Sequence, residues 1–189
     1  MENEQKLLIL ASASPRRQQL LREAGVAFRV DAPDVEEKSE HPDFTPSELA
    51  QWNARHKAEV VAARNPDAPV LAADTVVVCE GRVLGKPSDL DEAREMLRWL
   101  SGKTHEVLTA VVWLSADRKN NCEAVARTRV TFRVLDEAAI SDYLSTVHVL
   151  DKAGAYALQE NGESIIESIE GSRTNVIGLP MEMVGEWLK

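Results

Sequence analysis

Apolar positions set the first expectations. Leu7 to Leu10 form an unbroken apolar run, followed by the small residues Ala11-Ser12-Ala13-Ser14, a pattern that predicts a short buried strand leading into a helix. Ser14 suits the N-cap, Pro15 the first helical position and Gly25 the stop. Val26, Phe28 and Val30 alternate as a second, half-buried strand, and the polar stretch from Asp31 to Phe44, with Glu36, Glu37 and Glu40, reads as a solvated loop. Thr45, Pro46 and Glu48 spell a capping box for a helix to about Arg64. On it Ala50, Ala54, Lys57, Ala58 and Val61 share a stripe, so Lys57 either snorkels out of a small-residue face or holds a ligand.

Val70 to Cys79 is apolar on both faces except at Asp74 and Thr75, the mark of a central strand. Glu80-Gly81 turns it into Arg82–Leu84, and Gly85-Lys86-Pro87 ends that hairpin. A helix from about Ser88 to Gly102 buries Leu90, Ala93, Met96, Leu97 and Leu100. His105–Leu114 and Glu123–Val134 predict a long antiparallel pair whose Arg127, Arg129 and Arg133 face solvent, with His105 as a strand-end residue. A short helix at 137–144 follows. Further expectations are a strand ending near Gln159, another over Glu163–Ile169, a polar loop at 170–175, and a helix opened by Pro180. The order is α/β, with a mixed sheet flanked by helices in one domain over residues 1–189.

Composition narrows the class. At 189 residues, 44% hydrophobic and 28% charged, the chain fits one compact domain of one lobe or two. A net charge of −9 argues against coating nucleic acid. Two cysteines without metal spacing suit a reducing cytoplasm. The polar start MENEQK does not resemble a signal peptide, and no apolar run reaches membrane-spanning length.

The candidate chemistry begins with a broken rule. Arg16 and Arg17 occupy a helix first turn, where each cation costs about 0.3–1 kcal/mol against the macrodipole. An anion held by the helix end, the serines and these arginines explains them. A carboxylate at Asp74 on a central strand is expensive unless paired, hydrogen-bonded or bound to metal. Neither a Walker loop nor a dinucleotide fingerprint is present, and no Ser–His–Asp set stands out. Cations at 16, 17, 57 and 86 with carboxylates at 36, 37 and 74 suit metal-assisted attack of water on a phosphoryl group.

LASASPRRQQLL, AADTVVV with GKP, DKAGAY with LQ, and GLP, in this order from Leu7 to Pro180, together resemble the Maf-like nucleoside triphosphate pyrophosphatases. The resemblance implies an elongated, two-lobed inosine-triphosphatase-like fold with a central cleft, often homodimeric. It also implies Mg²⁺- or Mn²⁺-dependent cleavage of a nucleotide to monophosphate and pyrophosphate. Carried over, it makes Asp74 the proton acceptor. Ser12, Ser14, Arg16, Arg17, Lys57 and Lys86 become phosphate-binding residues, and Glu37 joins Asp74 at the metal, against the bland reading of its loop. Arg16, Thr75 and Gln159 resemble the subgroup acting on dTTP and UTP, where CTP and modified pyrimidine nucleotides are further candidates. The 7-methyl-GTP subgroup tends to carry Trp, Gln and Glu there. A glutamine offers donor and acceptor to a pyrimidine edge, whereas glutamate only accepts. Arg173 departs from the family pattern as an extra cation expected near the cleft. The alternatives are a 7-methyl-GTP pyrophosphatase and a nucleotide-binding division regulator without turnover.

Overall fold

The computed structural model describes residues 7–39 and 41–188; Glu40 and the MENEQK stretch lie outside them. Among the described residues seven strands form one sheet: β1 (Leu8–Leu10), β2 (Phe28–Val30), β3 (Val70–Cys79), β4 (Arg82–Leu84), β5 (Thr104–Leu114), β6 (Cys122–Phe132) and β7 (Ile166–Glu170). Their order is β2-β1-β3-β5-β6-β7, with β4 beside β3. β1 runs parallel to β2 and β3, and every other pairing is antiparallel, giving the mixed sheet that the alternation predicts.

Six helices flank it: α1 (Pro15–Glu23), α2 (Pro46–Arg64), α3 (Leu90–Leu100), α4 (Glu137–Thr146), α5 (Arg173–Ile177) and α6 (Met181–Trp187). The alternation of β3 sorts them. Val70, Ala72 and Val76 face the alanine stripe of α2, where Ala50, Ala54 and Ala58 let the helix lie close to the sheet. Leu71 and Ala73 face Leu20 and Leu21 of α1 and Val184 of α6. A third core gathers Leu97 of α3, Tyr143 of α4, Phe132, and the segment after α4. The capping box of α2 forms as its sequence requires, with Thr45 Oγ1 accepting from the Glu48 amide.

Two expectations fail in the last third. The strand expected to end near Gln159 does not form: a 3₁₀ turn occupies Ala153–Ala155, with Gly154 at φ 71° and Ala155 at φ 59°, and irregular backbone follows it. Left-handed residues cannot continue a ladder, and the Tyr143 hydroxyl takes the backbone partners instead, accepting from Ala157 N at 3.0 Å and donating to Ala157 O at 3.3 Å. A second 3₁₀ turn at Gly162–Ser164 delays β7 to Ile166. The predicted polar loop at 170–175 contains α5, because Ser172 caps it by accepting from Asn175 N, and Gly178 at φ 117° ends it.

His105 is no ordinary strand-end residue. It is buried between Phe132 and Tyr156, with Nε2 at 2.8 Å from the Tyr156 hydroxyl and Nδ1 without a partner. Burial pulls its pKa down from 6.5 to about 4. Between these values the unfolded chain binds more protons than the folded one, so stability is lost as pH falls through that window. The expected loss is about 3 kcal/mol by pH 4. Urea unfolding at pH 7, 5.5 and 4 checks this, and His105→Phe should flatten the dependence.

Candidate functional site

β1 lies between β2 and β3, so the crossover from β1 to β2 and the next, from β2 to β3, run in opposite directions along the sheet and open a crevice at the C-terminal end of β1. A gap in β3 extends the crevice. On one edge β3 is paired with β5 along Val70–Val78. On the other it pairs with β1 only through Leu71 and with β4 only from Val77, leaving Ala72–Val76 unpaired there. Asp74 and Thr75 sit in that gap. Their side chains point to opposite faces, yet both reach one cavity of about 350 Å³.

Asp74 lies on the α2 face. Lys57 Nζ is 2.6 Å from Asp74 Oδ1 and 2.7 Å from Glu37 Oε1, and Lys86 Nζ reaches Glu37 Oε2 at 3.0 Å. Lys57 is buried, so it does not snorkel to solvent. Burial pushes the Glu37 carboxyl up, but the charges and hydrogen bonds of Lys57 and Lys86 outweigh it and hold its pKa at about 2. Asn53, also buried on α2, donates to Asp74 Oδ2 at 3.2 Å.

On the opposite face Arg17 bridges three segments. It donates to Ser12 Oγ at 3.0 Å, Thr75 Oγ1 at 3.1 Å and the Gly178 carbonyl at 2.8 Å. Burial lowers its guanidinium from the ordinary value, opposed by Asp74 and Glu37. Gly178 is required by its backbone, whose φ of 117° would strain any other residue. Ser14 caps α1, accepting from the Arg17 amide, while Ser12 Oγ accepts from Ser14 N.

Arg16 turns the other way. Its Nη1 donates to Asp151 Oδ2 at 2.8 Å. The second oxygen of Asp151 is 2.9 Å from Lys152 Nζ, which is buried and also 3.2 Å from Glu160 Oε1. This chain of charges ties α1 to the irregular segment carrying Gln159, which lies on the cavity wall.

The cavity thus brings together Ser12, Ser14, Arg16 and Arg17 from β1–α1, Glu37, Lys57, Asp74 with Thr75, Lys86 and Gln159, whereas Glu36, the third carboxylate expected, is exposed and off its wall. Arg173 is exposed and lies off its wall. Sequence reasoning assigned no role to Asn53, Asp151 or Lys152. Asn53 had a readable signal, standing one helical turn before Lys57 on the same stripe. Among the described residues, no group of three or more His, Cys, Asp or Glu is placed to hold a metal. The pair Glu37 and Asp74 nonetheless fits Mg²⁺ or Mn²⁺, which are held by one or two carboxylates together with substrate phosphates.

Residues 7–189 match the family described as Maf-like protein. The dTTP/UTP pyrophosphatase of Akkermansia muciniphila is 50% identical over 177 residues, covering 94% of this chain and 92% of that protein. The dTTP/UTP pyrophosphatase of Syntrophus aciditrophicus is 48% identical, covering 96% and 88%. Among solved structures, a HAM1 protein from Coxiella burnetii overlaps 66% of this chain and 73% of its own at 22% identity and a TM-score of 0.40, too distant to inform the site.

Proposed function

The chain belongs to the Maf-like family, and on that footing we propose that it is a nucleoside triphosphate pyrophosphatase cleaving dTTP and UTP to the monophosphate and pyrophosphate. One observation carries the reading: a lysine clamped between two carboxylates, Asp74 and Glu37, beside a helix end loaded with arginine. Pure anion binding has no use for those carboxylates; hydrolysis does.

The polyphosphate is held by cations with donors to spare. Arg17 spends three of its five N–H groups on protein and keeps two. Lys86 is half exposed. A divalent cation held by Glu37 and Asp74 would neutralise developing phosphate charge and acidify the attacking water. On nucleotide binding, Lys57 exchanges its carboxylates for a phosphate oxygen, which uncovers Asp74 Oδ1. Asp74 accepts the proton of a water as its oxygen bonds to the α-phosphorus. The bond from that phosphorus to the α–β bridging oxygen breaks, and pyrophosphate leaves.

Gln159 and Arg16 face the base side, where a glutamine amide can both donate to and accept from a pyrimidine edge. CTP and modified pyrimidine nucleotides belong to the same proposal. Among the described residues, no helix is long and apolar enough to cross a membrane, and both cysteines are free thiols. We assign the protein to the cytoplasm, acting as a homodimer as its family resemblance implies.

A panel of canonical and modified nucleotides with Mg²⁺ or Mn²⁺ tests the proposal. dTTP and UTP should give pyrophosphate at least tenfold faster than 7-methyl-GTP. Release of orthophosphate overturns the α–β assignment, faster 7-methyl-GTP cleavage overturns the pyrimidine assignment, and binding without turnover favours the regulator.

A further inference from the structure

Asn53 is buried between the two carboxylates' separate supports, and each of its polar atoms is committed. Its Oδ1 accepts from Lys38 N at 2.9 Å, and its Nδ2 donates to Lys38 O at 3.0 Å and to Asp74 Oδ2 at 3.2 Å. The amide orientation follows from its neighbours. A backbone N–H can only donate, so Oδ1 must face Lys38 N. A carbonyl and a carboxylate oxygen can only accept, so both hydrogens of Nδ2 are spoken for.

This geometry matters because Glu37 and Asp74 come from unrelated elements. Asp74 is fixed in β3, whereas Glu37 rides on the irregular stretch between β2 and α2, where no ladder sets its position. Asn53 grips the backbone of the residue next to Glu37 through both of its polar groups, and the same amide holds Asp74. Lys38 adds a second anchor, its ammonium standing 4.1 Å above the Trp52 ring. Lys57 also joins the two carboxylates, but by a flexible ammonium that must let go when substrate arrives. The amide has no such duty.

We propose that Asn53 is a positioning residue, a fixed spacer that sets the separation of Glu37 and Asp74 and so makes the pair fit for a divalent cation during turnover. The inference rests on the pyrophosphatase reading only for its effect on kcat. The spacing of the carboxylates is separately measurable as metal affinity.

The experiment compares Asn53→Leu, which keeps the bulk and removes all three bonds, with Asn53→Ser, which is too short to span Lys38 and Asp74. Mn²⁺ binding is measured by electron paramagnetic resonance with a saturating, non-hydrolysable α,β-methylene analogue of dTTP, which draws Lys57 off the carboxylates, and kcat and KM are measured with dTTP, on protein whose circular dichroism matches the parent. The expected result is Mn²⁺ affinity weakened at least fivefold and kcat lowered at least tenfold, with KM within threefold. If the leucine variant does not fold, the serine variant decides alone. A change confined to stability, to KM, or to kcat without Mn²⁺ affinity overturns the spacer. Weakened Mn²⁺ binding in a protein whose parent does not cleave dTTP keeps the spacer and overturns the proposed function.

Discussion

Asp74→Asn is expected to lower kcat for dTTP by about 10³-fold, within the range for loss of a positioned base, while the protein stays folded. The amide is nearly the same shape but takes no proton and brings no negative charge to a metal. Removing one member of a buried ion pair ordinarily costs several kcal/mol, because the other is stranded. Here Lys57 is not stranded, since Glu37 Oε1 remains 2.7 Å from its ammonium. Asn53 and Lys57 both donate to Asp74, and the new amide has a single acceptor oxygen, so one of these donors meets its NH2 and the stability loss should be about 1–3 kcal/mol. Pyrophosphate release and thermal melting, measured on the same preparation, check both halves. A fall in kcat of less than tenfold would remove Asp74 from the reaction.

Lys57→Met is expected to act in the opposite order, striking the nucleotide-free protein first. It leaves Asp74 and Glu37 facing one another without the ammonium both share. The cost should be about 3 kcal/mol, since buried Asp74 loses its ammonium while the more exposed Glu37 keeps Lys86. For a chain of this size that corresponds to roughly 6–12 °C in melting temperature. Millimolar Mn²⁺ should recover much of it in the variant and little in the parent, where Lys57 already occupies the place between the carboxylates. Acid sensitivity should shift as well. In the parent the depressed Glu37 pKa contributes stability that is fully present above about 4.5 and lost as pH falls towards 2. With Lys57 gone only Lys86 still lowers the carboxyl, so that contribution shrinks and the variant should begin to lose stability at higher pH. Melting scans from pH 7 to 3, with and without Mn²⁺, measure both effects. Equal Mn²⁺ protection of parent and variant would show that Lys57 does not stand in a metal's place.

The elements that frame the site were legible because each carries its own local signal. β3 announced itself by apolar positions on both faces interrupted only at Asp74 and Thr75, and it is observed over the residues expected. α2 was readable from Thr45, Pro46 and Glu48. Arg16 and Arg17 were legible as a violated electrostatic rule. What stayed hidden depended on contacts distant in sequence. Lys57 could not be resolved between snorkelling and binding without knowing that Glu37 folds over it. The small residues at 151–156 read as a turn, but the strand expected to follow it to about Gln159 does not form, because the backbone is fixed by the Tyr143 hydroxyl and by left-handed residues at 154, 155 and 161. Arg16 looked like a free phosphate ligand; its partner Asp151 lies 135 residues away.

That same irregular segment has a consequence for how the substrate range can change. The sheet sets the place of Asp74, and α2 that of Lys57, but no ladder dictates the path of 151–161. It is held at a few points: Gly154, whose Cβ would press on Val77, Gly162, whose Cβ would lie 2.7 Å from the Ala157 carbonyl, and the charge chain through Asp151. Between those points Ala153, Leu158 and Gln159 face the cavity. Selection, or a library confined to these three positions, can therefore redraw the wall proposed to face the base as a separable module while the sheet and α2 keep Asp74 and Lys57 in place.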